Sequence, residues 1–193
     1  MRRLAPLVLL IAGFGAGCGR TPSLMPLDQG RSWTYTFNAG SFQTFVEAVE
    51  VKGRVAVGSE QGAILTGPMG TSRLGWNGDT LLASRLANAG FSPPIPLAVE
   101  SGGKAAKRKW HGTIEALGIP REAFATLSQT QERVAVGGVK SFTTRSELVI
   151  QARAEGREPT TIEVSTWFRP GVGIIRQEQR TNRKLIVALK LLD

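Results

Sequence analysis

The sequence predicts a mainly β fold: a curved antiparallel sheet, laid down as a half-barrel-like meander, with at most one or two short helices. Three observations carry that expectation. Apolar and polar residues alternate with period two near both ends of the chain, as where Trp33, Tyr35 and Phe37 stand between Ser32, Thr34 and Thr36. Glycine, proline and asparagine separate such runs at short intervals, where tight reversals need them. The sequence shows no heptads, fixed-period repeat or low-complexity tract.

In chain order, Met1-Arg2-Arg3 and the uncharged run Leu4 to Gly17 read as a secretory signal over residues 1–17. A membrane-crossing helix needs about 20 apolar residues, and this run is shorter and contains Pro6. Gly15-Ala16-Gly17 then precede Cys18, the only cysteine. Two readings follow. Cys18 is lipid-modified and becomes the new N-terminus, as the lipobox resemblance described below implies, or cleavage is ordinary secretory cleavage and Cys18 is a free thiol. Residues 18–30, with GRTPSLMPLDQG after the cysteine, are expected to be a lipidated N-terminus and flexible tether holding the domain clear of a bilayer. Residues 31–193 are then one antiparallel β domain, long enough to fold on its core alone.

Within that domain, Arg31 to Asn38 and Ser41 to Val51 are expected as paired strands, followed by short strands at Val55–Val57 and Ala63–Thr66. Asn77-Gly78 suggests a hairpin between Leu74-Trp76 and Thr80–Leu86, although a helix from Asp79 to Gly90 competes. Phe91 to Leu97 holds three prolines and reads as a connector or edge segment. Lys104 to Leu117 contains two strand-like runs, and Pro120 to Leu127 reads as a short helix with proline in its first turn. Four strands end the chain: Thr144–Arg153, Thr161–Phe168, Ile174–Arg180 and Leu185–Leu192. They are separated by turns at Glu155–Pro159, Pro170–Gly173 and Thr181–Arg183. In the middle turn Pro170 presets φ, while Gly171 and Gly173 permit positive φ.

Little catalytic chemistry is on offer. His111 is the one histidine, and no Gly-x-Ser-x-Gly elbow accompanies it. No His or Cys pair has ligand spacing, and Gly102-Gly103-Lys104 lacks the remainder of a phosphate loop. Carboxylate pairs such as Glu47 with Glu50 or Glu163 with Glu178 are what fifteen acidic residues would produce anyway. The expectation is therefore a non-enzyme, with no cofactor, no metal and no nucleic-acid partner. Twenty-four basic residues give a net charge of +9, which favours anionic envelope partners. Two basic groups stand out, Lys104/Lys107/Arg108/Lys109 and Arg176/Arg180/Arg183/Lys184; each is a solvated face or a binding patch. Trp33, Trp76 and Trp167, together with Trp110, Tyr35 and Phe142, either fill the core or line a cavity for an apolar ligand.

Residues Gly15 to Cys18 resemble the lipobox of bacterial lipoproteins, with Gly15 where a branched residue is usual. Three further stretches resemble a pattern of uncharacterised bacterial lipoproteins and exported β proteins: Pro26 to Tyr35 with its Trp-x-Tyr, Glu132 to Phe142, and Trp167-Phe168-Arg169-Pro170-Gly171-Val172-Gly173. More distantly, the architecture is similar to the half-barrel of the LolA and LolB lipoprotein-localisation family, a curved sheet closed by helices over an apolar cavity. These resemblances imply a membrane-anchored lipoprotein in the cell envelope, with its domain in the periplasm, binding a lipid-like or other apolar ligand. The alternative is a structural or assembly protein that docks on another envelope protein.

Overall fold

The computed structural model describes residues 23–38, 44–101, 104–136, 139–154 and 157–192. The leader, Cys18 and the first residues of the expected tether lie outside them. Twelve strands follow in chain order: β1 (Ser32–Asn38), β2 (Phe45–Val57), β3 (Glu60–Gly67), β4 (Gly70–Asn77), β5 (Thr80–Leu86), β6 (Ala89–Val99), β7 (Ala106–Ala116), β8 (Ile119–Val136), β9 (Val139–Ala154), β10 (Arg157–Arg169), β11 (Gly173–Thr181) and β12 (Lys184–Leu191). Each is antiparallel to the next, and β1 also pairs with β12 through Tyr35↔Leu191 and Phe37↔Leu189, so the sheet closes into a barrel.

Closure overturns the expected open half-barrel, and the described residues contain no helix to serve as a LolA- or LolB-like lid. Pairing the first strand with the last removes the two edges an open sheet would expose. Whether a meander reaches that point depends on the summed twist and tilt of all its strands. No single run of alternating residues records that sum.

Individual segments also differ from expectation. Pro120 to Leu127 is part of β8, not a helix: Ala123, Ala125 and Leu127 are buried while Glu122 and Phe124 are exposed, which is period two. Phe91 to Leu97 is strand, paired with β5 through Ala83↔Ile95 and Leu82↔Pro96. The expected second and third strands form one, β2, with a bulge between Val51 and Gly53. The hairpin after Asn77 is present, with Asn77 facing Thr80 and Gly78 at φ +57°. The four C-terminal strands pair in the expected order, and Asn182 and Arg183 make the last reversal, both at positive φ.

Buried side chains from every strand fill the barrel interior, among them Tyr35, Val51, Leu65, Leu74, Ala83, Leu127, Ile150 and Phe168. The outer wall carries mid-strand charges, including Arg145 and Glu147 on β9 and Arg176, Glu178 and Arg180 on β11. A bilayer-spanning barrel has the opposite polarity, with an apolar band outside and polar groups within.

The wall has a seam between β6 and β7. Their ladder runs only from Ala89↔Ala116 to Ser92↔Thr113. Beyond it Pro93, Pro94 and Pro96 have no N–H to give, and β6 leaves β7 to be covered on both faces, with Ile95, Pro96, Ala98 and Val99 all buried. Side chains take over from the ladder. Trp110 Nε1 donates to the Pro93 carbonyl at 3.1 Å. Gln129 on β8 donates to the Val99 carbonyl at 2.6 Å and accepts the Val99 N–H at 2.9 Å. Where the two strands part, only glycine fits at position 112: a Cβ there would lie 2.4 Å from the Ser92 carbonyl oxygen and 2.8 Å from Pro93 Cδ.

Candidate functional site

Residues 23–30, the described part of the expected tether, dock on the end of the barrel where β1 begins. Met25 is 1% exposed and Leu24 is buried beside it. Backbone bonds from Gly171 N–H to the Ser23 carbonyl and from Gly30 N–H to the Val51 carbonyl hold the segment down, and the Glu100 carboxylate accepts the Leu24 N–H at 3.0 Å. This segment stoppers that end of the barrel.

Two tryptophans expected to line a cavity fasten this stopper. Trp76 Nε1 donates to the Met25 carbonyl at 3.0 Å, and Trp33 Nε1 donates to the Val172 carbonyl at 2.5 Å. Gly171 (φ +76°) and Gly173 (φ +108°) shape the Pro170–Gly173 reversal as expected. Gly173 also lets Met25 and Trp33 approach, since a Cβ there would be 3.1 Å from the Met25 sulfur and 3.3 Å from the Trp33 ring. The first and last of the three sequence stretches singled out above are therefore in direct contact. The middle one joins them through Glu132, whose carboxylate accepts the Trp167 indole N–H.

Trp167 itself points away from the interior, because its neighbours Thr166 and Phe168 border the lumen. The guanidinium groups of Arg145 and Arg176 lie over its ring at 5.1 and 4.6 Å and leave it only 5% exposed. Phe142 is exposed beneath Arg133. Next to this stack, burial works against ionisation of the Glu178 carboxyl, but hydrogen bonds and charge from Arg176 and Arg180 outweigh it and hold its pKa below the usual range. A carboxylate kept ionised in this way is a poor proton donor. His111 sits on the wall, stacked on Phe124 at 4.4 Å with its Nε2 3.0 Å from Glu122.

Above the stopper the lumen contains a cavity of about 160 Å³. Met25, Leu74 and Phe168 form its floor, and Tyr35, Leu65, Ile174, Val187 and Leu189 its sides. At the opposite end of the barrel it is bordered by the β3–β4 turn, Gly67 to Gly70, and by Leu86 and Ala87. Ser72, Thr166, Gln177 and Gln179 add polar atoms, but Gln177 donates to Thr166 at 3.0 Å. The Tyr35 hydroxyl donates to the Ile174 carbonyl at 2.8 Å, and burial pushes its pKa up, so it stays neutral. A cavity of about 150 Å³ holds one benzene-sized group, whereas pockets for whole small molecules run to about 300–1,000 Å³. The space suits the end of an apolar chain.

Of the residues singled out from sequence, Tyr35 borders this cavity, while Trp33, Trp76 and Trp167 do not. Cys18 lies outside the described residues. The bordering residues that the sequence did not reveal are Met25, within what reads as a tether, and the lumen-facing positions of β11 and β12, which look like any half-buried strand.

No protein-family model and no curated protein matches the sequence. Among solved structures, the chain is similar to a candidate lipoprotein from Parabacteroides distasonis, with a TM-score of 0.56 and 13% identity over 89% of this chain and 98% of that one. Weaker likenesses are to a candidate exported protein with a YmcC-like fold from Bacteroides fragilis (TM-score 0.47, 12% identity, 88% and 97% covered) and to the hypothetical lipoprotein YmcC from Escherichia coli (0.43, 11%, 84% and 83%). The first of these likenesses shows a shared barrel fold.

Proposed function

We propose that this chain is an exported, non-enzymatic envelope lipoprotein whose barrel receives the end of a single apolar chain, such as the acyl tail of a lipid. The observation that carries the reading is the apolar lumen cavity, stoppered at one end by Leu24 and Met25 and bordered at the other by the Pro68-Met69 and Ala87 turns. The Cys18 segment and the name of the similar Parabacteroides distasonis structure support the envelope setting.

Each buried CH2 contributes about 0.8 kcal/mol. A benzene-sized space admits about six carbons, so the lumen would supply on the order of 5 kcal/mol toward holding such a chain. The test is organic extraction and mass spectrometry of protein purified from its native membrane, together with titration of dodecanoate. Leu189→Trp, and the milder Ser72→Leu, should fill the lumen and abolish both co-purifying lipid and dodecanoate binding. Absence of lipid and of dodecanoate binding in the unaltered protein would sink the reading.

A further inference from the structure

We propose that the free edge of β7, from Ala106 to His111, receives an extended acidic segment of a partner protein as an added strand. The wall is otherwise continuous, but the β6–β7 ladder stops at Ser92↔Thr113, and β7 runs on for seven residues paired only with β8. Gly112 packs against Ser92 and Pro93, so the six residues Ala106 to His111, at about 3.3 Å each, offer a docking edge of about 20 Å. Main-chain groups along such an edge bind an incoming strand, and side chains choose which strand it is.

Charge makes that choice here. Trp110 and Ala106 lie on one face of β7, so Lys107, Lys109 and His111 alternate onto the other, where Lys107 and Lys109 are exposed. Lys104 extends the group. Among the described residues these three lysines have no carboxylate partner: nearby Asp79 is paired with Arg108 at 3.7 Å, and Glu100 is engaged by the Leu24 N–H. A second copy of this basic chain would place lysines against lysines, which disfavours self-pairing. A segment with glutamate or aspartate at alternate positions meets complementary charge at each lysine while its main chain pairs with the edge. This surface is independent of the lumen, so either proposal can fail alone.

Amide hydrogen exchange on the full-length protein tests it, with an octapeptide of alternating glutamate and threonine as probe. Alternate amides between Ala106 and His111 should exchange freely in the unbound protein and slow at least about tenfold with the peptide, as new strand hydrogen bonds would require. Peptide affinity should fall at least about tenfold in Lys107→Glu/Lys109→Glu, two exposed changes that leave the core untouched. The same peptide with alternate backbone amides N-methylated should not protect the edge. Equal protection by the methylated peptide would reduce the effect to charge alone, and β7 amides already protected without peptide would show the edge to be covered. Retention on phosphatidylglycerol vesicles without peptide protection would give the lysines to a membrane surface. Any of these three results overturns the proposal.

Discussion

Replacing Gln129 by leucine should destabilise the barrel by about 2–5 kcal/mol, even though the two side chains are close in volume. Gln129 is 3% exposed, and its amide satisfies the N–H and carbonyl of Val99 and accepts from Ser146 Oγ at 3.1 Å. Val99 and Ser146 are themselves buried, so leucine would strand the Val99 N–H and the Ser146 hydroxyl without water, while the Val99 carbonyl keeps the Ser101 N–H at 3.0 Å. Each costs about 1–3 kcal/mol when left unpaired, with some relief if a water enters. For a domain of this size each kcal/mol lowers Tm by about 2–4 °C, so a loss on the order of 10 °C is expected.

Urea unfolding followed by tryptophan fluorescence measures the difference, and an unchanged slope would show that stability rather than compactness has moved. Gln129→Ala should be only modestly worse than Gln129→Leu, because the orphaned groups and not the lost volume dominate. Gln129→Glu should be poor at neutral pH, where a carboxylate faces the Val99 carbonyl, and recover on acidification as the carboxyl gains a proton to donate. A Gln129→Leu protein within about 1 kcal/mol of the unaltered one would refute the claim that this amide replaces the missing β6–β7 ladder.

Gly112→Ala should cost about 1–3 kcal/mol in the same assay, since the new Cβ meets the Ser92 backbone and Pro93; a neutral result would show that the two strands can move apart freely. The folded-state pKa of Glu178 lies below its unfolded value, so its stabilisation is present above the usual carboxylate range and is lost as pH falls through the folded value. The gap in urea midpoint between the unaltered protein and Glu178→Gln should therefore narrow on acidification, and a constant gap would count against the Arg176 and Arg180 pairing. Cys18→Ser should move the protein from the membrane to the soluble fraction, and unchanged fractionation would refute lipid anchoring.

Period-two alternation exposed most strands because one face of the wall is wet and the other dry, as at Trp33 to Phe37 and Thr144 to Arg153. It failed where other signals competed. Pro120 read as the first turn of a helix, yet Ala123, Ala125 and Leu127 needed a dry face every second residue. Three prolines in β6 argued for an edge, and toward β7 that stretch is unpaired; what the prolines could not reveal is that its other side pairs with β5. The tryptophans were visible but their work was not. The indole N–H groups of Trp33, Trp76 and Trp110 hold carbonyls of segments outside the regular ladders, and that of Trp167 holds the Glu132 carboxylate. That pattern depends on which segments lie opposite, and spacing along the chain carries no record of it.

The placement of the stopper also limits where a lumen ligand can come from. Ser23 sits at the stoppered end, and the five residues back to Cys18 can span at most about 18 Å. The turn Gly67 to Gly70 lies at the opposite end of the barrel, with all eight residues of β3, about 26 Å of strand, in between. An acyl chain on Cys18 cannot enter through the stopper, because Met25 and Leu24 already fill that space. To reach the other mouth it would have to lie along the outer wall, exposed to water and to the charges of the strands it crossed. A lipid on Cys18 would thus be poorly placed to occupy this chain's own lumen. Under the proposed lipid anchoring, the stoppered end lies nearer the membrane than the Gly67–Gly70 end, and under the proposed function a lumen ligand would come from another molecule.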